Sequence, residues 1–179
     1  VASGRVAQSG TVEEVLARPA CDFAARLAGV SLVEGIVDDD ELRTPGGDLV
    51  SGVRATAAAG WRSGARAVAT VDPRAVAVHV DPAPTGSTHA PTSAPAPAPT
   101  SPTQPSAHAP ATSPRNSWPA RVVSLAPAGA LTRVSAELRD GQRVDAEITS
   151  RSAAELELAP GSPVILVVKA AQVALYPRR

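Results

Sequence analysis

Three short polar clusters between residues 113 and 171 of the 179-residue chain carry side chains suited to binding a small anion. They are Ser113-Pro-Arg-Asn116, Thr149-Ser-Arg-Ser-Ala153 and Lys169-Ala-Ala171. Hydroxyls, backbone N–H groups and fixed cations are the donors that hold compact tetrahedral oxyanions. If the fold brings the clusters together, they form a site for a phosphate-like dianion. If it does not, they are a capping residue and two surface cations, and spacing alone leaves both interpretations open.

The second and third clusters each have a local reason to attract an anion. Ser152-Ala-Ala-Glu155 predicts a capping box that opens a short helix ending near Leu158, and the first N–H groups of a helix are free donors. Lys169 ends a wholly apolar stretch, where an ammonium group must reach solvent or a counter-charge.

The elements around these clusters are predicted to be β-strands. Apolar and polar residues alternate cleanly along Leu131–Arg139 and Arg143–Thr149, with the hairpin signal Asp140-Gly141 between them. Pro163–Lys169 is apolar on both faces, so this strand is either central or covered by a partner subunit. Two further strands are predicted at Trp118–Ala126 and Gln172–Tyr176, and the second of them closes the module. This order of strands and helix predicts a small OB-like barrel.

The first part of the chain predicts two short helices followed by a second, smaller β subdomain. The helices cover Thr11–Ala17 and Asp22–Ala28, the second ending at Gly29, and they are too short to form a core without docking on another element. The predicted strands of this subdomain are Leu32–Val37, Glu41–Thr44, Asp48–Ser51, Ala65–Val71 and Ala75–Val80.

A proline-rich segment separates the two β regions. Residues 82–114 contain ten prolines among mainly Ala, Ser and Thr, so they cannot bury enough apolar surface to offset their ordering entropy. We expect a disordered linker there. The predicted fold class is therefore mainly β, with an OB-like barrel at the C-terminus, a smaller β subdomain before it, short N-terminal helices and this linker.

Composition excludes several classes of function. Lys+Arg and Asp+Glu are equal at 17 each, so no overall field attracts nucleic acid. Cys21 is the single cysteine, and the three histidines (His79, His89, His108) have no sequence partners, which argues against a metal site or catalysis. Nucleotide-binding motifs such as GxxxxGK[ST] are missing, so no enzymatic activity is predicted for this chain.

The chain lacks an initial Met, and we expect it to be a fragment of a longer protein or a truncated reading of its gene.

Residues 113–176 resemble the TOBE, or molybdenum-pterin-binding, family through SPRNSWPARV, AEITSRSAAELELAPG and VKAAQVAL in that order. The resemblance implies a five-stranded OB-like barrel that pairs with a second copy and binds molybdate or tungstate between them. The implied oxyanion contacts are Ser113, Arg115, Asn116, Thr149, Ser152, Ala153 (through its backbone), Lys169 and Ala170. Two residues depart from the family pattern: Ala171 stands where a serine is usual, and Pro114 where an alanine is usual.

The segment GRVAQSGTVEEVLARPACDFAARLAGV is similar to the end of the nucleotide-binding domain of ABC importers, and VDPRAVAVHV to a strand of their accessory domain. Together these resemblances imply the C-terminal, regulatory region of the ATP-binding subunit of a molybdate importer. The implied domains are a helical tail of a missing ATPase domain (1–29), a first TOBE-like subdomain (30–81), the linker (82–114) and the oxyanion-binding TOBE domain (115–178). The implied partners are a second copy and, through the missing domain, a membrane permease. The implied location is the cytoplasm, at the inner face of the plasma membrane. ATP and Mg would be needed only by the full-length protein.

Other functions remain open at this stage. The chain could be a cytoplasmic molybdate store, or the accessory domain of a sulfate, iron or polyamine importer ATPase. It could also be an assembly module whose anion site is vestigial. A DNA-binding regulator is disfavoured because no helix-turn-helix precedes the module.

Overall fold

The computed structural model describes residues 11–17, 19, 21–54, 60–80 and 114–178. The proposed linker lies outside the described residues except for Pro114, and so does Ser113 of the first cluster. The described part of the chain is mainly β, as predicted, with eleven strands and three short α-helices. The helices are α1 (Val12–Ala17), α2 (Asp22–Ala28) and α3 (Ser150–Glu155). The strands are β1 (Ser31–Asp38), β2 (Glu41–Arg43), β3 (Leu49–Val50), β4 (Val53–Arg54), β5 (Arg66–Val71), β6 (Ala77–Val80), β7 (Asn116–Ala128), β8 (Leu131–Leu138), β9 (Arg143–Thr149), β10 (Pro163–Val168) and β11 (Val173–Pro177).

The strands form two sheets that exchange their last strands. The first sheet has the order β3-β2-β1-β5-β11-β4, and the second has the order β6-β10-β7-β8-β9. Strand β11 therefore lies between β5 and β4 of the first sheet, while β6 pairs with β10 of the second. The prediction that Gln172–Tyr176 closes the second module is wrong, because this strand completes the other sheet. The domain boundaries remain a prediction. Each sheet contains one strand from the other predicted domain, β11 in the first sheet and β6 in the second.

The two halves of the chain repeat the same arrangement. In each, a long first strand pairs antiparallel with a later strand, Ser31 with Val71 and Asn116 with Val168. Each later strand is followed by a 3-10 turn, at Pro73–Ala75 and at Ala170–Gln172, and then by the exchanged strand. The contacts between halves are also matched, since Ser31 Oγ accepts from the Asp145 N–H (2.8 Å) and Asn116 Oδ1 accepts from the Ser51 N–H (2.7 Å). This pairing aligns 66–71 with 163–168 and, one residue further on, Asp72 with Lys169.

One core joins the halves. Its fully buried side chains come from both sheets, and Trp118 is the largest of them at 1% exposure. Strand β10 is central in its sheet, between β6 and β7, as the first of the two alternatives for this apolar stretch required. Helix α2 docks on the first sheet, as expected: Ala25 packs with Val68 and Tyr176, and the Tyr176 hydroxyl donates to the Pro19 carbonyl (2.7 Å). None of the described helices is long and apolar enough to cross a membrane.

A glutamine side chain also connects the halves. Gln142 Nε2 donates to the Glu34 carbonyl (3.0 Å), and Gln142 Oε1 accepts from the Glu34 N–H (2.6 Å). The amide thus acts on β1 as a neighbouring strand would. Gln142→Ala should lower the free energy of unfolding by about 1–3 kcal/mol, because two backbone groups lose their partner. Urea denaturation measures this change.

Gln172→Ala is the matched control, since Gln172 is exposed and its side chain makes no hydrogen bond with the described residues. This substitution should change the free energy of unfolding by less than about 0.5 kcal/mol. Equal effects of the two substitutions would contradict the role given to Gln142.

Candidate oxyanion site

Two of the predicted cations meet at one end of the second sheet. The last registered pair between β7 and β10 is Asn116 with Val168, so Arg115 and Lys169 are the next residues on adjacent strands. Both are exposed, and neither forms an ion pair within the described residues. Lys169 thus satisfies the expectation that it must reach solvent. Two uncompensated cations on neighbouring strands attract an anion, most strongly where a partner surface excludes water. We name Arg115, Lys169 and Ala170 the cation end.

Asn116, predicted as a contact of the oxyanion, has another use for its side chain. The residue is fully buried. Its Nδ2 donates to the carbonyls of Ser51 (2.9 Å) and Val168 (3.3 Å), while its Oδ1 accepts from the Ser51 N–H. Both amide hydrogens are therefore engaged with protein carbonyls. The contact fixes the start of β7, and so Arg115, against the first half.

The hydroxyl groups of the second cluster, Thr149 and Ser152, form a compact unit at the start of α3. Thr149 Oγ1 accepts from the Ser152 N–H (3.0 Å) and lies 2.7 Å from Ser152 Oγ, which makes Thr149 the N-cap of α3. The predicted capping box at Ser152 and Glu155 is wrong: α3 begins at Ser150, and Glu155 pairs with Arg151 (2.7 Å) instead of reaching back. Helix α3 has six residues, so its dipole contributes little to the attraction of an anion. We name Thr149, Ser152 and Ala153 the hydroxyl end.

The two ends are not brought together within one chain. Thr149 pairs with Leu131, which pairs with Ala128 at the far end of β7, whereas the cation end adjoins Asn116. The twelve steps from Asn116 to Ala128 correspond to about 40 Å along the strand. In the described part of the chain, no hydrogen bond or ion pair joins the two ends. The predicted set is therefore divided into two groups.

Near the hydroxyl end, β9 carries a carboxylate held by two arginines. Glu147 contacts Arg133 (2.5 Å) and Arg74 of the first half (3.2 Å). The hydrogen bond from Arg133, followed by the one from Arg74, holds the pKa of Glu147 below its ordinary value, and the same contact raises the pKa of Arg133. This cluster could not be predicted from local sequence patterns, because Arg74 and Glu147 are 73 positions apart. Both guanidinium groups are used within the protein.

Comparisons with known proteins agree with this architecture. Residues 112–175 match the family model described as TOBE domain. The chain is 34% identical over 178 residues to the molybdenum import ATP-binding protein ModC of Mycobacterium tuberculosis, an alignment covering 98% of this chain and 40% of ModC. It is 47% identical over 57 residues to the molybdenum-pterin-binding protein MopB of Rhodobacter capsulatus, covering 32% of this chain and 21% of MopB.

A solved structure shows the fold. The cytoplasmic molybdate-binding protein ModG superposes with a TM-score of 0.56 and 20% identity, over 80% of this chain and 93% of that one. At this identity the similarity establishes the fold alone, which confirms the mainly β, OB-like prediction. The chain spans about two fifths of the length of ModC, the curated relative that it matches over nearly all of its own length. The chain carries a TOBE domain and is homologous to the C-terminal region of molybdenum import ATP-binding proteins.

Proposed function

We propose that this chain is the molybdate-binding, regulatory region of the ATP-binding subunit of a molybdate importer. The observation that carries the proposal is the pair of exposed cations, Arg115 and Lys169, on adjacent strands of a domain matched by the TOBE model. Such a pair suits a compact tetrahedral dianion. Relatives of the chain are named for molybdenum import and molybdenum–pterin binding, which favours molybdate or tungstate among these dianions. Binding of the oxyanion would make the activity of the transporter depend on the oxyanion concentration inside the cell, which is an allosteric coupling between two sites.

The complete site requires a second copy of the chain in this proposal. The cation end and the hydroxyl end lie at opposite ends of β7, so the cation end of one copy would meet the hydroxyl end of another. A symmetric pair forms two such sites, or one per chain. Self-association is therefore part of binding.

The importer is favoured over a storage protein by the extent of the similarity to ModC. That alignment covers 98% of the chain, including the N-terminal region around α1 and α2, which a TOBE-only store does not need. On this proposal the protein lies in the cytoplasm and reaches a membrane permease through the ATPase part of a longer polypeptide. Ala171 removes one family hydroxyl, which weakens affinity by about 1 kcal/mol without removing a cation.

Calorimetric titration of the 179-residue chain with molybdate, with sulfate as the comparison anion, tests the proposal. Arg115→Ala should weaken molybdate binding roughly 10- to 100-fold, the loss of one charge-assisted hydrogen bond. Arg62→Ala, which removes an exposed guanidinium without a partner among the described residues, should leave binding unchanged. No molybdate binding by a folded chain, or equal binding of sulfate, would refute the proposal.

Mixing two variants tests the shared site. At a molybdate concentration just sufficient to saturate the wild-type chain, Arg115→Ala and Thr149→Ala should each leave most sites empty when measured alone. Equimolar mixing should recover about a quarter of the wild-type sites, because half of the random pairs are mixed and each of these has one intact site. No recovery, with self-association intact, would place the site within one chain.

A further inference from the structure

The strand that follows the cation end leads directly to the N-terminal helices. From Lys169 the chain continues into the 3-10 turn Ala170–Gln172, and β11 begins at the next residue, Val173. Two backbone hydrogen bonds close this turn on the cation end itself. The Gln172 N–H donates to the Lys169 carbonyl (2.9 Å), and the Val173 N–H donates to the carbonyl of Ala170. A displacement of Lys169 therefore also displaces the first residue of β11.

The other end of β11 holds the helices through Tyr176. This side chain is buried against Ala25 of α2 and Val68 of β5, and its hydroxyl donates to the Pro19 carbonyl (2.7 Å). Pro19 is itself buried and lies in the connection between α1 and α2. The three residue steps from Val173 to Tyr176 correspond to about 10 Å along the strand. One short strand thus joins the cation end to the segment that carries both helices.

The turn at the start of β11 has space beside it, whereas the strand itself is held on both sides. A cavity of about 320 Å³ is lined by Ala171 and Gln172 of the turn and by Val30, which follows the C-cap of α2. None of the three residues of the turn is buried. From Val173 onwards β11 lies between β5 and β4 and contributes to the core. The turn can therefore shift when an anion attracts Lys169, and the close-packed strand transmits the resulting strain.

We infer that β11 transmits occupancy of the oxyanion site to α1 and α2, and that the hydrogen bond from Tyr176 to Pro19 is the last contact of this route. The inference rests on the proposed function and names how the bound oxyanion is sensed. The chain is homologous to the C-terminal region of ModC, so on the proposed function the ATPase part of the longer polypeptide precedes α1. An oxyanion that fixes the turn after Lys169 would stabilise the docked helices, and this coupling is reciprocal.

Amide hydrogen exchange of the 179-residue chain, with and without saturating molybdate, measures the coupling. Exchange in α2 reports the local detachment of this helix from the sheet. Molybdate should slow this exchange by about fivefold or more, the lower end of the usual range for coupling between two sites. Calorimetry on the same sample establishes that molybdate is bound. Bound molybdate with unchanged exchange in α2 would overturn the inference and leave the proposed oxyanion site intact. No binding by a folded chain would refute the proposed function, and the inference with it.

Two variants separate this route from a general stabilisation of the protein by molybdate. Tyr176→Phe keeps the apolar ring and removes the hydroxyl, so molybdate should bind with unchanged affinity while exchange in α2 no longer responds to it. Arg26→Gly is the matched control, because glycine on this exposed face loosens α2 and leaves the contact with Pro19 in place. Its exchange in α2 should be faster and should still slow when molybdate binds. Circular dichroism verifies folding. A full response in folded Tyr176→Phe, or a lost response in Arg26→Gly, would overturn the role of Tyr176.

Discussion

Replacement of Trp118 by alanine should lower the free energy of unfolding by about 3–5 kcal/mol, a large part of the stability of a small protein. Trp118 is the largest fully buried side chain of the core and lies on β7 in the second half. Its indole N–H donates to the Leu49 carbonyl of the first half (2.8 Å). The substitution leaves a cavity and also frees a carbonyl group at the junction of the halves.

Two further variants separate these contributions. Trp118→Phe keeps most of the apolar volume but removes the donor, so it should cost about 1–3 kcal/mol. Trp61→Ala is the matched control, because Trp61 is only half-buried and bonds to the Asp39 carbonyl of a neighbouring turn (3.0 Å). Urea denaturation compares all three. A loss in Trp61→Ala equal to that in Trp118→Ala would show that the junction is not where stability is concentrated.

Strands with clean alternation were predictable from the sequence. β9 spans Arg143–Thr149 as predicted, and β8 ends within one residue of the prediction. In β8 the buried residues alternate with half-buried ones along the whole strand, which is the signal that a period of two provides. The C-terminus of α2 at Gly29 was predictable for a related local reason, because its φ of 75° suits glycine.

The strand exchange was not predictable from these patterns. Val173–Pro177 has the same apolar character whichever sheet receives it, since alternation specifies a buried face and not a partner. Lys169 and the 3-10 turn after it redirect the chain to the first sheet. The start of α3 was also not predictable from local capping signals, because Thr149 and Ser152 are both good N-caps. The pairing of Thr149 with Leu131 determines that β9 ends, and the helix begins, at Thr149.

The candidate site was predictable in its residue types but not in its arrangement. The adjacency of Arg115 and Lys169 follows from the β7–β10 register, which connects residues more than fifty positions apart. The same register places Thr149 at the other end of β7, a separation that no spacing rule indicates. Asn116 has the side chain of a ligand, but burial against Ser51 turns it into a positioning residue.

Ending the chain after Gln172 should unfold the first sheet, although the deleted strand follows the second half in sequence. β11 contributes the buried side chains Val173, Leu175 and Tyr176 to the first half. At about 1.5–3 kcal/mol for each buried apolar side chain, the loss approaches the whole stability of a small domain. The backbone of β5 also loses its neighbour on one side.

Amide hydrogen exchange distinguishes the two halves in this truncated chain. Protection should collapse in β1 and β5, while β8 and β9 retain part of theirs because they keep each other and β7 as partners. Ending the chain after Pro177 is the control: it removes Arg178, whose side chain pairs with Glu34 at the surface, and should leave both sheets protected. Loss of protection in β8 and β9 with β1 and β5 intact would mean that β11 belongs to the second module, and the exchanged arrangement would be wrong.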